Sequence, residues 1–392
     1  MSDKIKEIAY KIESDIINIR RQIHKNPELA LNEFGTAKLV SKHLNELGIE
    51  VTENVCITGV VGLLRGKYPG KTVGIRADMD ALPIQEQTNL EFKSVNDNVM
   101  HACGHDAHTA ILLGAASILS QIKGSIKGNI KFIFQPSEES RVGGAADMIE
   151  EGVLENPKVN SVLGLHVSAS IPTGKIGYRE GSINSCAVGF EIVIIGKGGH
   201  GSAPHEAIDA IIIASELVQA LQTISSSQID PRETFVLTVG TINGGCAANV
   251  IADRVTLAGT IRYFNPEIIG KVGDIFRNII YHITAAYGAT YNFKFMPGIG
   301  QVINDIKTVN IVASAAVEIV GEENVLLVPQ SLGSEDFAAF ALAVPSAFVN
   351  LGVGFDNKEN YSGHHPKFDI NEKALPIGAA LLANAAIKFL NS

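Results

Sequence analysis

The chain has 392 residues, of which 46% are hydrophobic and 19% are charged. This composition is that of an ordinary globular protein, and the length is enough for about two or three domains. A formal net charge of -9 argues against nucleic acid and anionic membrane surfaces as partners, because an acidic protein attracts neither of them. We therefore predict no nucleic-acid partner and no membrane partner.

The start of the chain and its cysteines predict a cytoplasmic protein. Residues 1–6 lead into an amphipathic helix rather than an apolar leader, and no apolar stretch approaches the ~20 residues that span a bilayer. The cysteines are few and widely spaced, which suits thiols that are buried or metal-bound in a reducing compartment. They are Cys56, Cys103, Cys186 and Cys246.

The first part of the chain alternates helices with short apolar strands. Isoleucines at helical spacing predict one helix over 5–24, and a second is predicted over 35–47. Strands are predicted over 59–64, 72–78, 130–135 and 161–166, with an apolar helix over 108–122. Strands that are apolar on both faces and alternate with helices predict an α/β fold, in which helices cover both faces of a mostly parallel sheet.

The pattern changes after about residue 184. A strand over 189–196, a helix over 206–225, two strands over 234–242 and 254–263, a helix over 266–287 and a strand over 290–296 give the order βαββαβ. This order predicts a ferredoxin-like unit. Alternating helix and strand return after about 297 and end in an apolar helix over 374–390. We predict an inserted domain at 185–296 and one discontinuous catalytic domain formed by 1–184 and 297–392.

One short segment is crowded with the side chains that bind metals. The run His101-Ala102-Cys103-Gly104-His105-Asp106-Ala107-His108 contains three imidazoles, a thiol and a carboxylate, all of which bind first-row divalent ions. A lone histidine near a helix start is more often a cap, and a lone cysteine is more often a small buried hydrophobe. In an extended segment Cys103 and His105 would point the same way and form half of a ligand set, which requires distant partners.

Three later segments could supply those partners. Glu138 and Glu139 follow one predicted strand, His166 ends another, and His364 and His365 lie in a C-terminal loop. Each of these alone is more often a solvated pair or a turn residue. Ligands of parallel sheets collect at the carboxyl ends of the strands, so the segments together predict a metal site.

Several motifs resemble those of the dinuclear metallo-amidohydrolases that include aminoacylases, hippurate hydrolases, auxin-conjugate amidohydrolases and thermostable carboxypeptidases. The resemblance extends from residues 20–29 to the last helix. Beside the crowded segment, it rests on Arg76-Ala77-Asp78-Met79-Asp80-Ala81-Leu82-Pro83, Gln135-Pro136-Ser137-Glu138-Glu139, Gly198-Gly199-His200-Gly201-Ser202-Ala203-Pro204-His205 and His364-His365-Pro366.

This resemblance implies that two divalent metal ions are bound, with Cys103 bridging them. The implied ligands are Cys103, His105, Glu139, His166 and His364. The thiolate favours zinc, and the mixed ligation would also accept manganese, cobalt or nickel. Asp78, Asp80 and Asp106 are interpreted as carboxylates that orient the bound imidazoles, with caps at strand ends as the alternative reading.

Glu138 is the predicted general base. Amide hydrolysis near neutral pH needs an activated water, which a metal pair supplies, and a nearby carboxylate can take the proton of that water and pass it to the leaving nitrogen. Adjacent residues cannot readily face one metal together. With Glu139 as a ligand, Glu138 therefore remains as the base, and the order of the two residues matches the resemblance.

The inserted domain carries a second set of candidates. The resemblance implies that His200 reaches the partner subunit's active site and stabilises the oxyanion of the tetrahedral intermediate, which makes this domain a lid and dimerisation domain in a homodimer. It also implies that Asn249 and Arg262 bind the free α-carboxylate of the substrate, for which a guanidinium group is geometrically suited. The alternatives are an exposed ring on a tight turn for His200 and a strand-end salt bridge for Arg262.

The predicted function is metal-dependent hydrolysis of the amide bond of N-acyl-L-amino acids, which releases an amino acid and a carboxylic acid. The same carboxylate site would serve a carboxypeptidase that acts on short or N-blocked peptides. A non-catalytic protein that binds acylated amino acids is a third possibility, although an intact Glu138 speaks against it. A structural zinc site is disfavoured because such sites are closed sets of four ligands without an adjacent carboxylate.

Overall fold

A computed structural model describes residues 1–140 and 143–392 of the chain. Its α-helices are α1 (Ser2–Lys11), α2 (Glu13–Lys25), α3 (Phe34–Glu46), α4 (His105–Gln121), α5 (Ala145–Glu150), α6 (Ala210–Thr223), α7 (Ile268–Ala286), α8 (Ile306–Val320), α9 (Ala338–Ala343) and α10 (Leu375–Leu390). Its strands are β1 (Glu50–Val55), β2 (Gly59–Arg65), β3 (Tyr68–Asp78), β4 (Lys127–Gln135), β5 (Ser161–Pro172), β6 (Ile176–Tyr178), β7 (Gly181–Ser182), β8 (Cys186–Ile195), β9 (Gly199–His200), β10 (Phe235–Gly244), β11 (Val250–Ile251), β12 (Arg254–Tyr263), β13 (Thr290–Phe295), β14 (Ile303–Asn304), β15 (Val325–Leu327) and β16 (Ser346–Gly354).

The chain forms two compact units. The first comprises Met1–Ile183, Val302–Gln330 and Asp336–Ser392, and the second comprises Asn184–Gln301 and Ser331–Glu335. Residues 297–301 and 331–335, which the sequence assigned to the catalytic domain, belong to the second unit. Hydrogen bonds within that unit explain the difference: the Ser185 hydroxyl donates to the Leu332 carbonyl at 2.9 Å, and Ala187 exchanges backbone hydrogen bonds with Ile299.

The first unit is built on an eight-stranded mixed sheet with the order β1-β2-β4-β3-β5-β16-β6-β15. The central pairs β4/β3, β3/β5 and β5/β16 are parallel, whereas β1, β2 and β4 pair antiparallel at one side. The sequence prediction of a mostly parallel α/β sheet is confirmed. The four parallel strands at the centre of this sheet bring their carboxyl ends to one edge.

Both faces of this sheet are covered because its strands are apolar on both sides. Phe132 and Phe134 of β4 pack into a core that includes α4 and α10, and the intervening Ile133 packs on the opposite face with Met148 of α5. By length and composition alone, the stretch Glu372–Leu390 could cross a membrane, but most of it is buried inside the first unit. This stretch is therefore part of the core of the first unit.

Two helix boundaries differ from the sequence prediction. The helix expected over 5–24 is interrupted at Ile12, whose φ and ψ of -100° and 10° separate α1 from α2. Helix α4 begins at His105 rather than at 108, because Gly104 adopts a left-handed conformation with φ of 90° that starts the helix there. This earlier start places His105 in the first turn of the helix.

The second unit has the predicted order β8-α6-β10-β12-α7-β13. Its four-stranded sheet has the spatial order β10-β12-β8-β13, and all of its pairs are antiparallel. Helices α6 and α7 contribute to its own core, in which Phe276 of α7 lies 5.2 Å from Phe190 and 5.4 Å from Phe293 between ring centroids. This topology is ferredoxin-like.

Candidate metal centre and active site

Chemistry-bearing residues of the first unit lie on three neighbouring strands or just after them. β3 ends at Asp78, which lies in register with Gln135 at the end of β4, and His166 lies in β5 on the other side of β3. Asp80 and Glu138 come shortly after β3 and β4. The parallel arrangement of these strands therefore gathers side chains that are far apart in sequence.

A glycine turn positions Cys103 and His105. A Cβ atom on Gly104 would lie 2.3 Å from Cγ2 of Val167, so both the left-handed φ and the close approach to β5 require glycine. The His105 Nδ1 atom lies 2.9 Å from the Asp80 carbonyl oxygen, an acceptor, so Nδ1 carries the ring proton. The Nε2 atom of the neutral ring then presents a lone pair.

This Nε2 atom of His105 faces a cluster of acidic groups. It is buried, and among the described residues it has no hydrogen-bond partner. Carboxylate oxygens of Asp78, Glu138 and Glu139 lie 3.8, 3.9 and 4.0 Å from it. Burial lowers the pKa of His105, but the charges of Asp78 and Cys103 raise it well above its ordinary value. The centre thus has an excess of negative charge that a cation would compensate.

The other predicted ligands converge on the same place. The Nδ1 atom of His166 lies 2.7 Å from the Val167 carbonyl oxygen and donates to it, which leaves Nε2 with its lone pair 3.4 Å from Cys103 Sγ. The Nε2 atom of His364 lies 2.9 Å from Glu139 Oε1. The structure therefore brings all five predicted ligands together.

These ligand atoms form two triads that share Cys103. One triad consists of Cys103, His105 and His166, and the other of Cys103, Glu139 and His364, with all ligand atoms of a triad within 4.8 Å of one another. Burial raises the pKa of the Cys103 thiol, so a thiolate there requires a nearby positive charge. A thiolate, imidazoles and a carboxylate around a buried lone pair fit a first-row divalent metal.

The loop that carries His364 is held in place by backbone hydrogen bonds. His364 has a φ of 67°, and its N–H donates to the Ala102 carbonyl at 2.7 Å. Two residues later the Pro366 carbonyl accepts the N–H of Gln87 at 2.8 Å. Although the His364 side chain is 55% exposed, these contacts fix its backbone beside the Cys103 segment.

Asp80 holds the loop that follows β4. Its Oδ1 atom accepts the N–H of Glu138 at 3.0 Å and lies 3.2 Å from His105 Nδ1, and its Oδ2 atom accepts the N–H of Glu139 at 2.9 Å. Glu138 Oε1 in turn accepts the N–H of Asp336 at 3.4 Å. One buried carboxylate thus orients an imidazole and fixes the predicted base and a predicted ligand, as expected of a carboxylate behind a metal site.

Asp78 lies in a second set of buried contacts. Its Oδ2 atom accepts from Arg76 at 2.6 Å, and its Oδ1 atom accepts from His108 Nδ1 at 2.6 Å. The Val167 N–H donates to His108 Nε2 at 2.9 Å, so both nitrogens of His108 are occupied by the protein. Although burial raises the pKa of Asp78, the nearby charges of His105 and Arg76 hold it well below its ordinary value.

The interpretation of Asp106 as a carboxylate that orients a bound imidazole is not what the structure shows. Its Oδ2 atom accepts from Arg20 Nε and from His24 Nδ1, both at 2.7 Å. Successive helical residues point about 100° apart, so Asp106 faces α2 while His105 faces the sheet edge.

His101 is buried without a hydrogen-bond partner among the described residues, and burial lowers its pKa to about 4.

His200 lies in the second unit, in β9, which pairs antiparallel with β11. Its side chain is exposed, and its Nδ1 atom accepts the N–H of Ser202 at 3.1 Å. The neutral ring therefore carries its proton on Nε2, which is the tautomer that an oxyanion donor needs. Asn249 is close by, because its carbonyl oxygen accepts the N–H of Gly201 at 2.9 Å.

Arg262 also lies in the second unit, in β12. Its Nη1 atom donates to the Leu332 carbonyl at 2.8 Å and lies 3.5 Å from the Ser334 hydroxyl. Among the described residues it pairs with no carboxylate, so the alternative of a strand-end salt bridge finds no support. The fork of the guanidinium is oriented by neutral oxygens and remains charged.

Two residues that organise the site were not identified from the sequence. Arg76 donates to Gln135 at 2.7 Å, to Asp78 and to Asp336 at 2.8 Å, and it is fully buried in β3. Glu33 is fully buried and accepts from the loop after β4. An arginine inside an apolar strand is a signal that could have been read, whereas a glutamate before a helix is typical of an ordinary helix start.

Comparisons with known proteins agree with this geometry. Residues 74–388 match the profile of peptidase family M20/M25/M40. The chain is 44% identical to thermostable carboxypeptidase 2 of Saccharolobus solfataricus, over 99% of both chains, and 39% identical to N-acetylcysteine deacetylase of Bacillus subtilis, over 96% of this chain and 97% of that protein. A solved structure of the Bacillus subtilis YXEP protein, a dinuclear metal-binding peptidase, has a TM-score of 0.83 and 36% identity, with 97% of this chain and 99% of that chain covered.

The fold and the convergent ligand side chains define a metal-dependent hydrolase that cleaves amide or peptide bonds. The chain belongs to peptidase family M20/M25/M40. The resemblance that the sequence motifs indicated is thereby confirmed.

Proposed function

We propose that this enzyme hydrolyses the amide bond of N-acyl-L-amino acids and releases an amino acid and a carboxylic acid. The observation that carries the proposal is the position of Glu138, whose Oε2 atom lies 3.9 Å from the ligand nitrogen of His105. A carboxylate next to the ligand cluster is what a hydrolytic centre needs and a structural metal site does not.

We further propose that the centre holds two divalent cations, with Cys103 shared between them. The two overlapping triads support this arrangement, because each supplies three ligand atoms and both contain the thiol. Zinc suits the thiolate, and manganese, cobalt or nickel would suit the imidazole and carboxylate oxygens as well. Bound cations would lower the pKa of a water and polarise the amide carbonyl.

Glu138 then moves the protons of the reaction. Its carboxylate takes a proton from the attacking water and passes it to the amide nitrogen as that nitrogen leaves. The backbone at Glu138 and Glu139 is fixed, because the N–H groups of both residues donate to Asp80. The base is therefore held in position before the substrate binds, which lowers the entropic cost of the reaction.

The second unit supplies the remaining groups. The partner subunit's His200 would donate its Nε2 proton to the developing oxyanion, and Asn249 and Arg262 would bind the free α-carboxylate of the substrate. The tautomer of His200 and the absence of a carboxylate partner on Arg262 among the described residues support these roles. A guanidinium already oriented by the Leu332 carbonyl can accept a planar carboxylate without reorganisation.

The proposed role of His200 requires a homodimer, and the second unit has a surface suited to one. β10 lies at the edge of its sheet, so in the described part of the chain one side of this ten-residue strand pairs with no other strand. Ile242 of that strand is 54% exposed, and Ile211 and Ile212 of α6 are 44% and 49% exposed. An unpaired edge with exposed isoleucines can pair with the same edge of a second copy.

A carboxypeptidase that acts on short or N-blocked peptides is the second candidate. The same carboxylate site would serve it, and a relative that is 44% identical bears the name thermostable carboxypeptidase. A protein that only binds acylated amino acids is disfavoured, because such a protein would have no need of Glu138.

We propose a cytoplasmic location for this enzyme, as its four unbridged thiols suggest.

One assay series tests the proposal. The purified protein is stripped with a chelator, refilled separately with Zn²⁺, Mn²⁺, Co²⁺ or Ni²⁺, and assayed with N-acetyl, N-benzoyl and N-benzyloxycarbonyl amino acids and with short peptides. Hydrolysis that is lost on chelation and restored by metal is expected, with acyl amino acids preferred over peptides. A preference for peptides would favour the carboxypeptidase, and no chelator-sensitive hydrolysis of any substrate would contradict the enzyme proposal.

A further inference from the structure

Glu33 links the loop that carries the base to a second, distant turn. It precedes α3, is fully buried, and accepts the Ser137 N–H on Oε1 at 3.0 Å. Its Oε2 atom accepts the Thr58 hydroxyl at 2.6 Å, and Thr58 is buried in the turn between β1 and β2. Both oxygens of this carboxylate are therefore used inside the protein.

Glu33 and Asp80 together bind three successive backbone N–H groups. Glu33 accepts from Ser137, and the two oxygens of Asp80 accept from Glu138 and Glu139. Consecutive N–H groups that point at anionic oxygens are a strong arrangement for fixing a loop, because each bond is assisted by charge. The residues fixed in this way are the proposed base and a proposed ligand.

The conformation of Ser137 shows why such a contact is needed. Ser137 is buried and has a φ of 60°, which a residue with a Cβ atom adopts only under strain. A strained residue persists when its surroundings hold it, and the hydrogen bond from its own N–H to Glu33 is such a constraint. The turn after β4 that directs Glu138 and Glu139 towards the centre passes through this residue.

We propose that Glu33 is a positioning residue for the metal centre: through Ser137 it sets the orientation of Glu138 and Glu139 without touching either side chain. This inference rests on the proposed function for the role of Glu138, whereas its consequence for Glu139 is a statement about metal binding. The proposal depends on the acceptor oxygen of Glu33. A residue of similar size without that oxygen is therefore expected not to position the loop.

A nearby glutamate provides a matched control. Glu28 accepts the N–H groups of Gly35 and Thr36, both at 2.9 Å, at the start of α3. Its side chain thus stabilises the same helix start that follows Glu33, and within the described residues the hydrogen bonds of that carboxylate are all to α3. A loss that arises only from a weakened α3 would appear in Glu28→Met as well as in Glu33→Met.

The experiment compares Glu33→Met, Glu33→Gln and Glu28→Met by competition for Zn²⁺ against a chromogenic chelator and by kcat and KM. Glu33→Met is expected to weaken Zn²⁺ binding and to lower kcat by about 10–100-fold, with little change in KM, as for other residues behind metal ligands. Glu33→Gln keeps an acceptor of the same size and is expected to stay close to wild type, and Glu28→Met should not affect metal binding.

A second substitution tests the mechanism. In the Glu33→Met background, Ser137→Gly removes the strain of the left-handed conformation, and we expect it to restore part of the lost Zn²⁺ affinity. Should Glu33→Met not fold, Thr58→Val removes the other contact of Glu33, and it is expected to weaken Zn²⁺ binding in the same direction.

Two results would overturn the proposal. The first is a folded Glu33→Met protein, or Thr58→Val in its place, that binds Zn²⁺ as tightly as wild type. The second is a loss of Zn²⁺ affinity in Glu28→Met that equals the loss in Glu33→Met. If the wild-type protein binds Zn²⁺ but hydrolyses none of the substrates, the proposed function fails, while the binding comparison still decides the role of Glu33.

Discussion

Replacing Asp80 with asparagine tests the arrangement behind the metal centre with a change of one atom. Asp80 accepts three hydrogen bonds, two on Oδ1, from Glu138 and His105, and one on Oδ2, from Glu139. Asparagine has a single acceptor oxygen, and its amide group is itself a donor. At least one of the three donors must therefore face a donor in the variant.

The geometry decides which contact is lost. If the amide oxygen takes the position of Oδ1, the bonds to Glu138 and His105 survive, and the Glu139 N–H faces the amide. The opposite orientation loses two bonds, so the first is preferred. A partly buried N–H left without an acceptor costs about 1–3 kcal/mol. A loss of about 10–100-fold in metal affinity, which is typical behind a metal ligand, corresponds to about 1.4–2.8 kcal/mol.

Two measurements check this prediction. Asp80→Asn is expected to lower the free energy of unfolding in urea by about 1–3 kcal/mol and to weaken Zn²⁺ binding by about 10–100-fold in competition with a chelator. Asp305→Asn is the matched control, because Asp305 accepts from Thr308 at the start of α8 and takes part in none of the metal-centre contacts described above. It should not affect Zn²⁺ binding.

The reasoning is refuted if folded Asp80→Asn binds Zn²⁺ as wild type does. That result would mean that the loop after β4 keeps its conformation without the second oxygen of Asp80. An equal loss of metal affinity in Asp305→Asn would be a different failure, since it would show that affinity follows general stability rather than this contact.

The remaining predictions concern the base, the substrate site and a buried charge. Glu138→Gln should lower kcat by about 10²–10⁴-fold while metal content, measured by elemental analysis, stays at wild type; a variant with substantial activity would remove Glu138 from its role. Arg262→Lys should raise KM by about tenfold with little change in kcat, because lysine cannot form the bidentate contact; an unchanged KM would argue against a carboxylate there. Burial raises the pKa of Glu33 above its ordinary value near 4.5, so its ionised form is destabilised in the folded state. The unfolding free energy of Glu33→Gln relative to wild type should therefore increase as pH rises from about 4.5 through the folded pKa, and a difference that is flat with pH would contradict this cause.

The sequence predicted part of the site because several of its residues lie at or just after the ends of apolar strands. The runs that end at Asp78 and Gln135 are apolar enough to be read as strands, and parallel strands bring their carboxyl ends to one edge. The sequence was compatible with an extended segment from Cys103 to His105, whereas Gly104 turns the chain there and His105 begins α4. Several strands and helices of the first unit were thus predicted, but their bounds were less exact: α4 begins at His105 rather than at 108, and β5 continues to Pro172.

Contacts between segments that are far apart in sequence could not be predicted in this way. Asp106 was expected to orient an imidazole of the centre, but the side it faces depends on the packing of α4 against α2, where Arg20 and His24 are its partners. Glu33 contacts Ser137, which is 104 residues away. No local pattern distinguishes such a carboxylate from one that begins a helix in solvent.

The partners of the buried acidic groups show why a cation is needed at the centre. Asp78 accepts hydrogen bonds from Arg76 and His108, Asp80 accepts them from backbone N–H groups, and Asp106 accepts them from Arg20 and His24. Each of these contacts lies behind or beside the ligand cluster, so each carboxylate has hydrogen-bond donors of the protein itself.

The side chains that face the ligand cluster itself differ from these three buried aspartates. The ligand cluster includes Cys103, Glu139, His105 and His364. Among these four side chains, positive charge can come only from a protonated imidazole. Protonation of His105 would remove the lone pair that its contact with Asp80 exposes. A divalent cation would compensate the thiolate and the carboxylate together and would leave His105 neutral, with the Nδ1 proton that its contact with the Asp80 carbonyl implies.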